Sequence, residues 1–340
     1  MYKILVIFMA VLLPACSSKT ISIPVPTSTA TYAVPFLLHR GINFGSMLEA
    51  PNEGEWGLFV QEEYFDLVKE AGFDFVRLPV RWNSHAEAEW PYTIDPVFFA
   101  RVDTVIQWAL ERELTIIVDF HHYEEIMLDP AGHKERFLGI WVQVAEHYRD
   151  YPSAVMFELL NEPSIQFNAA IWNQYFHEAL AIIRKTNPTR DVIVGPVRWN
   201  AYEFVTTLDI PNDDHIVYTF HYYLPPEFTL QGTEWSGGES EKWIGTTWEA
   251  TDEQMTELVS HFDLVADWAK RHGNLRILLG EFGVYDVAPQ ESRVRWTEFV
   301  RREAERRGFA WAYWEFGADF GVYDLDTGAW RNDLLKALIP

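Results

Sequence analysis

From residue 35 onward, short apolar or β-branched runs alternate with longer stretches of helical period. The runs are LLHRGINF (37–44), FDFVRLPV (73–80), TIIVDFHH (115–122), AVMFELLNE (154–162), DVIVGP (191–196), HIVYTFHYY (215–223), RILLGEFGV (276–284) and GFAWAYWEF (308–316). Amphipathic segments such as VFFARVDTVIQWALERE (97–113) and RVRWTEFVRREAERR (293–307) lie between them, and a last short helix is predicted at NDLLKAL (332–338). Near-continuous apolar strands separated by helices predict a parallel sheet covered on its faces. Eight such units predict a (β/α)8 TIM barrel, a single catalytic domain over 35–340. A doubly wound sheet would want a Gly-rich phosphate turn after the first strand, and GINFGSM is not one. The longest irregular stretch, 224–251, follows the sixth run and carries Trp235, Trp243 and Trp248. Loops of that length in compact domains are usually functional.

The first residues follow another pattern. Met1-Tyr2-Lys3 is a short positive start, Ile4 to Leu13 is apolar, and Leu13-Pro14-Ala15-Cys16 follows. Such a run is too short to span a bilayer and reads as a secretory signal. Its end resembles the lipobox of bacterial lipoproteins, in which the cysteine is lipidated. Residues 1–16 are therefore expected to be a lipoprotein-type signal, and the Ser/Thr/Pro-rich 17–34 a tether. The expected location is the cell surface or outer membrane through a lipid on Cys16, otherwise extracellular or periplasmic.

Composition narrows the partners. With 27 basic and 50 acidic residues the net charge is −23, which disfavours nucleic acid and anionic lipid. The single cysteine excludes an intramolecular disulfide and a Cys metal cluster. Fifteen tryptophans and 15 tyrosines fit either an aromatic core or a groove that stacks planar ligand faces.

Polar residues collect where the runs end. The second reaches Arg77, the third His121 and His122, and the fourth Asn161 and Glu162. The sixth ends in His221 and Tyr223, the seventh carries Glu281, and the eighth offers Trp314 and Glu315. An unpaired ionisable group is costly in a strand core. One such residue fits a satisfied ion pair; repetition at the same end of several strands points to a site at the barrel mouth. Two carboxylates facing one another there suit glycosidic bond cleavage, one protonated to donate and one ionised to attack or to activate water. Arg77 is placed to hold a carboxylate ionised. His221 and Tyr223 share a strand face, which puts the Tyr223 hydroxyl within reach of Glu281 on the adjacent strand.

Asn161-Glu162-Pro163 at one strand end and Glu281 at another resemble glycoside hydrolase family 5, the family of many cellulases and β-mannanases. The likeness covers nearly all of 35–340 and includes Arg77, His121, Asn161-Glu162, His221-x-Tyr223, Glu281 and Trp314. The stretches GINFGSMLEAPNEGEWG (41–57), with Asn43 and Glu49, and HHYEEIM (121–127), with His122, resemble a bacterial endoglucanase branch. The resemblance implies a retaining endo-β-1,4-glucanase, with Glu162 as acid/base and Glu281 as nucleophile. It implies Trp314 stacking under the sugar and Glu49 as a sugar-binding carboxylate, whereas Ser46 stands where that branch has Asn. The substrate implied is a β-1,4-linked polysaccharide: cellulose, β-glucan or glucomannan.

Other readings stay open. Trp199 either lines a subsite with Asn200 or belongs to plain loop; Asp119 and Asp324 read as structural and Trp311 as packing. A β-mannanase or mixed-linkage glucanase would use the same site. An inactive glycan-binding surface lipoprotein would not need both glutamates. A metal-dependent hydrolase would want His-x-His spacing, and His121-His122 are adjacent, so neither metal nor cofactor is expected.

Overall fold

The computed structural model describes residues 38–340 other than Gly237. The signal, the lipobox cysteine and the tether expected over 1–34 lie outside the described residues. Eight strands form one closed parallel barrel: β1 (Arg40–Asn43), β2 (Phe75–Val80), β3 (Thr115–Phe120), β4 (Val155–Glu158), β5 (Val192–Val194), β6 (Ile216–Tyr222), β7 (Arg276–Phe282) and β8 (Ala310–Tyr313). They pair in chain order, and β8 returns to β1 through Arg40–Trp311 and Ile42–Tyr313. A two-stranded ribbon, Tyr323–Asp324 with Ala329–Trp330, follows β8. No described helix is long and apolar enough to cross a membrane.

The helices form where apolar stripe and capping agree. Helix Pro96–Glu111 begins on Asp95, whose carboxylate accepts from the Val97 amide at 2.8 Å, and it buries Phe98, Val102, Val105, Ile106 and Ala109 along one face. Helix Asp252–Arg271 starts from a capping box between Thr251 and Gln254. The predicted short helix at 332–338 is present. One unit departs from the expected alternation. Between β5 and β6 there is no long helix, only a single turn over Val197–Asn200 and a 3-10 helix over Tyr202–Thr207. Asn173, from the preceding helix, pins this segment by donating to the Thr207 carbonyl at 2.9 Å and accepting from the Asp209 amide at 3.1 Å.

Inside the barrel the strand period of two decides what meets what. Phe75, Ile117, Met156, Ile193, Val217 and Leu278 fill an apolar layer with Ala310 and Ala312. Two residues further along the same strands stand Arg77, Asp119, Glu158, Thr219 and Gly280, all buried. The barrel therefore carries an ionised layer directly above its apolar plug. Each ion taken from water costs several kcal/mol, so that layer must be internally paired.

Candidate active site

Arg77 pairs the layer. Its Nε and Nη2 bond the Glu158 carboxylate at 2.6 and 3.0 Å, Nη1 reaches Glu281 Oε1 at 2.7 Å and Asn43 Oδ1 at 2.9 Å, and Nη2 also reaches Asn161 Oδ1 at 2.8 Å and Asp119 Oδ2 at 3.0 Å. All five donors of the guanidinium face acceptors, which a lysine ammonium lacks the geometry to match. Asn43 in turn donates to the Gly280 carbonyl at 3.0 Å. This ties β1 and β2 to β7.

Glu281 reaches this network through a local irregularity. Leu278 faces the interior and Leu279 the helices, so a regular strand would return Gly280 inward and send Glu281 outward. Instead Phe220 pairs with Leu279 while His221 pairs with Glu281, leaving Gly280 as a bulged residue. The bulge turns Glu281 into the mouth. Only glycine fits, since a Cβ at 280 would stand 2.5 Å from Thr219 Oγ1 and 3.2 Å from His221 Nε2. Tyr223, just past β6, then donates its hydroxyl to Glu281 Oε2 at 2.9 Å.

Glu162 arrives differently. β4 stops at Glu158, earlier than the apolar run suggests, although the amides of Leu159 and Asn161 still bond the carbonyls of Ile193 and Phe120. Glu162 follows with φ of 50°, a left-handed conformation uncommon outside glycine. Its Oε1 lies 2.8 Å from His221 Nδ1, which is 3.5 Å from Glu281 Oε2. One ligand-type atom from each of Glu162, His221 and Glu281 falls within 4.8 Å of the others. At that centre the imidazole faces two carboxylates and so offers a proton rather than a lone pair. Those three groups are arranged to handle protons.

Burial pushes the carboxyls of Glu162 and Glu281 each up to about 7; Arg77 opposes it at both, and at Glu281 His221 and the Tyr223 hydroxyl add to the opposition. Of these two carboxyls Arg77 touches only that of Glu281 directly. The pair therefore keeps its charge on Glu281 and its proton on Glu162. Burial drives His221 down to about 4, so the ring is neutral at pH 7. Burial also pushes Asp119 up to about 7 and holds His121 well below its usual value. His121 meets Asp119 through Nδ1 and accepts from Asn161 Nδ2 on Nε2 at 3.2 Å.

Residues 41–320 match the cellulase family, glycosyl hydrolase family 5. The chain belongs to that family. Among its relatives, Endoglucanase H of Acetivibrio thermocellus is 39% identical over 323 residues, which cover 92% of this chain and 34% of that protein. The chain thus spans about a third of the length of that relative. The Thermotoga maritima Cel5A structure with cellobiose is 47% identical with a TM-score of 0.87, covering 89% of this chain and 98% of the other. A structure of the same enzyme with mannotriose is 46% identical with the same coverage and TM-score.

The remaining candidates of this family 5 chain surround the same mouth. Trp314 is half-buried, its ring stacked on His121 with centroids 5.7 Å apart. His122 is edge-on to Trp56 and lies 3.6 Å from Glu124. Glu49 is buried and accepts from the amides of Ser46 and Met47, bracing the loop after β1; burial pushes it up to about 7. Trp199 is exposed, 52% of its surface open to solvent. In the long loop Trp248 is buried and Trp235 exposed.

Three contributors escape a reading of strand ends. Glu158 lies within its strand, where the only signal is a charge interrupting AVMFELL. Asp119 alternates with apolar neighbours and looks structural, yet it touches both Arg77 and His121. Asn200 lies in an irregular stretch with no period, and its Nδ2 reaches His221 Nε2 at 3.2 Å.

Proposed function

We propose that this family 5 member is a retaining endo-β-1,4-glucanase, with Glu281 as nucleophile and Glu162 as acid/base. One observation carries the reading: the two glutamates approach closely around His221, and only Glu281 is clamped by Arg77 and Tyr223. A cation and a hydroxyl donor favour the ionised form that attacks the anomeric carbon, while Glu162, partly open to the mouth and without such a clamp, retains the proton that the leaving oxygen needs. The glycosyl-enzyme ester is then cleaved by water that gives its proton to Glu162, now the base. A gap of about 5 to 5.5 Å between carboxyl groups suits double displacement, whereas inversion needs about 6.5 to 9.5 Å to seat a water. Oxygens of the two carboxyls within 4.8 Å of one another are in keeping with the shorter gap.

The substrate we infer is a β-1,4-linked glucan. The mannotriose complex of the Thermotoga maritima relative makes glucomannan the second polymer to assay. Export with a lipid on Cys16 is part of the same proposal and rests on the Leu13-Pro14-Ala15-Cys16 end. Cys16→Ser should move activity from the membrane fraction to a soluble one, and equal partitioning of variant and parent would refute the anchor. Proton NMR of the first product formed from cello-oligosaccharide tests the mechanism. The β-anomer should appear first; an initial α-anomer would show inversion and overturn both roles.

A further inference from the structure

Three consecutive residues after β5 have left-handed backbone: Arg198, Trp199 and Asn200, with φ of 64°, 58° and 53°. None is glycine, and of the three only asparagine tolerates this region readily. Such strain persists where the surrounding structure imposes it, and it clusters at functional sites. Here it delivers the fully buried Asn200 to His221. Ala201, the next residue, forms a parallel bridge with His221. A Cβ at Gly195 would stand 2.2 Å from Asn200 Oδ1, so the amide occupies space that only glycine leaves open.

The opposite edge of the ring fixes the proton. Nδ1 of His221 faces Glu162 at 2.8 Å and Glu281 at 3.5 Å. Ionised Glu281 only accepts, and Glu162, whose proton is reserved for the leaving oxygen, turns its unprotonated Oε1 to the ring, so Nδ1 must carry hydrogen. A neutral ring has one hydrogen on nitrogen; Nε2 must then accept, and its partner must donate. The Asn200 amide does so at 3.2 Å. Its Oδ1 points away from the ring, into the space beside Gly195.

We propose that Asn200 is a positioning residue: its amide holds His221 in the Nδ1–H tautomer, so the ring presents a donor to both glutamates. This rests on the assignment of Glu162 and Glu281 above. In the other tautomer a lone pair would face the carboxylates, and the ring would take up a second proton to relieve it. The imidazolium would then weaken the hold of Glu162 on its own proton. Besides the two glutamates, the charged groups that bear on the ring are Arg77 and Glu158, with His121 beyond.

The test is histidine-selective nitrogen-15 NMR of the whole protein, with His221 identified among 11 histidines by its loss in His221→Gln. In the parent, Nδ1 should be protonated and Nε2 bare. Asn200→Asp is isosteric and only accepts, so it should protonate Nε2. The basic limb of kcat/KM on soluble β-glucan should then move acidward by about one pH unit, with kcat down about 10-fold or more and KM little changed. A parent spectrum with Nε2 protonated would overturn the proposal, as would an Asn200→Asp variant with unchanged nitrogen shifts and pH profile. The parent spectrum requires neither a folded variant nor turnover. Failure of the functional reading would show separately, as absent glucan cleavage with the tautomer intact.

Discussion

Nη1 of Arg77 stands 2.7 Å from Oε1 of Glu281, so a residue of β2 grips the carboxylate of β7 across the barrel interior. The same guanidinium serves Glu158 and Asp119. One cation thus compensates three buried carboxylates. Arg77→Met should cost about 3 to 5 kcal/mol, the usual consequence of leaving buried charge unpaired. Protonation relieves that charge, so urea denaturation should show a larger loss at pH 8 than at pH 5; equal losses would contradict the shared compensation.

If the proposed double displacement holds, Glu281→Gln should lower kcat by about 10⁴-fold, because no covalent glycosyl-enzyme could form. A 2-fluoro glycoside with a good leaving group should label Glu281 in the parent enzyme. Mass spectrometry placing the label on another carboxylate would reassign the nucleophile.

Glu162→Ala should lose glucan hydrolysis yet keep much activity on aryl glycosides whose leaving group needs no protonation. Added azide should restore turnover and yield a β-glycosyl azide. An α-azide, or no rescue at all, would count against Glu162 as acid/base.

The raised carboxyl of Glu162 also sets a stability trend. The unfolded chain releases this proton near 4.5, whereas the folded protein keeps it until about 7. Folding is therefore penalised progressively as pH rises through that window, and fully above it. Glu162→Gln removes the penalty. Its melting temperature relative to the parent should rise between pH 4.5 and pH 8, and a constant difference would refute the raised value.

Gly280→Ala should lower kcat by about 10²-fold, since a displacement near 1 Å at a reacting group is that costly. The clash is with Thr219 Oγ1, whose distance from the added Cβ would be 2.5 Å. Adding Thr219→Ala should recover part of the loss. Purely additive effects would mean that the bulge tolerates a side chain.

The barrel was legible because its strands are apolar runs, and most of the site because Arg77, Asn161, Glu162, His221 and Glu281 break those runs where they open. Periodicity gives the face of a residue only while a strand stays regular. That is why LLGEF shows a glutamate in the run but not the slip at Gly280 that turns it inward. Glu158 and Asp119 were hidden for the opposite reason: their strands are regular, and their partner Arg77 comes from another strand. Asn200 depends on backbone strain that no local pattern announces. A count of alternations does not measure the length of each connection, so the short fifth crossover is invisible in the pattern.

That crossover has a consequence for heat. β5 is the shortest strand of the barrel, with three residues, and only the turn Val197–Asn200 and the 3-10 helix Tyr202–Thr207 separate it from β6. Protection against local opening tracks buried apolar contact, so this sector is the thin seam of an otherwise double-walled cylinder. It also bears the strained residues that lead to His221. Warming should loosen the seam first and silence the enzyme while its circular dichroism is still native, so thermal inactivation and thermal melting would follow separate curves.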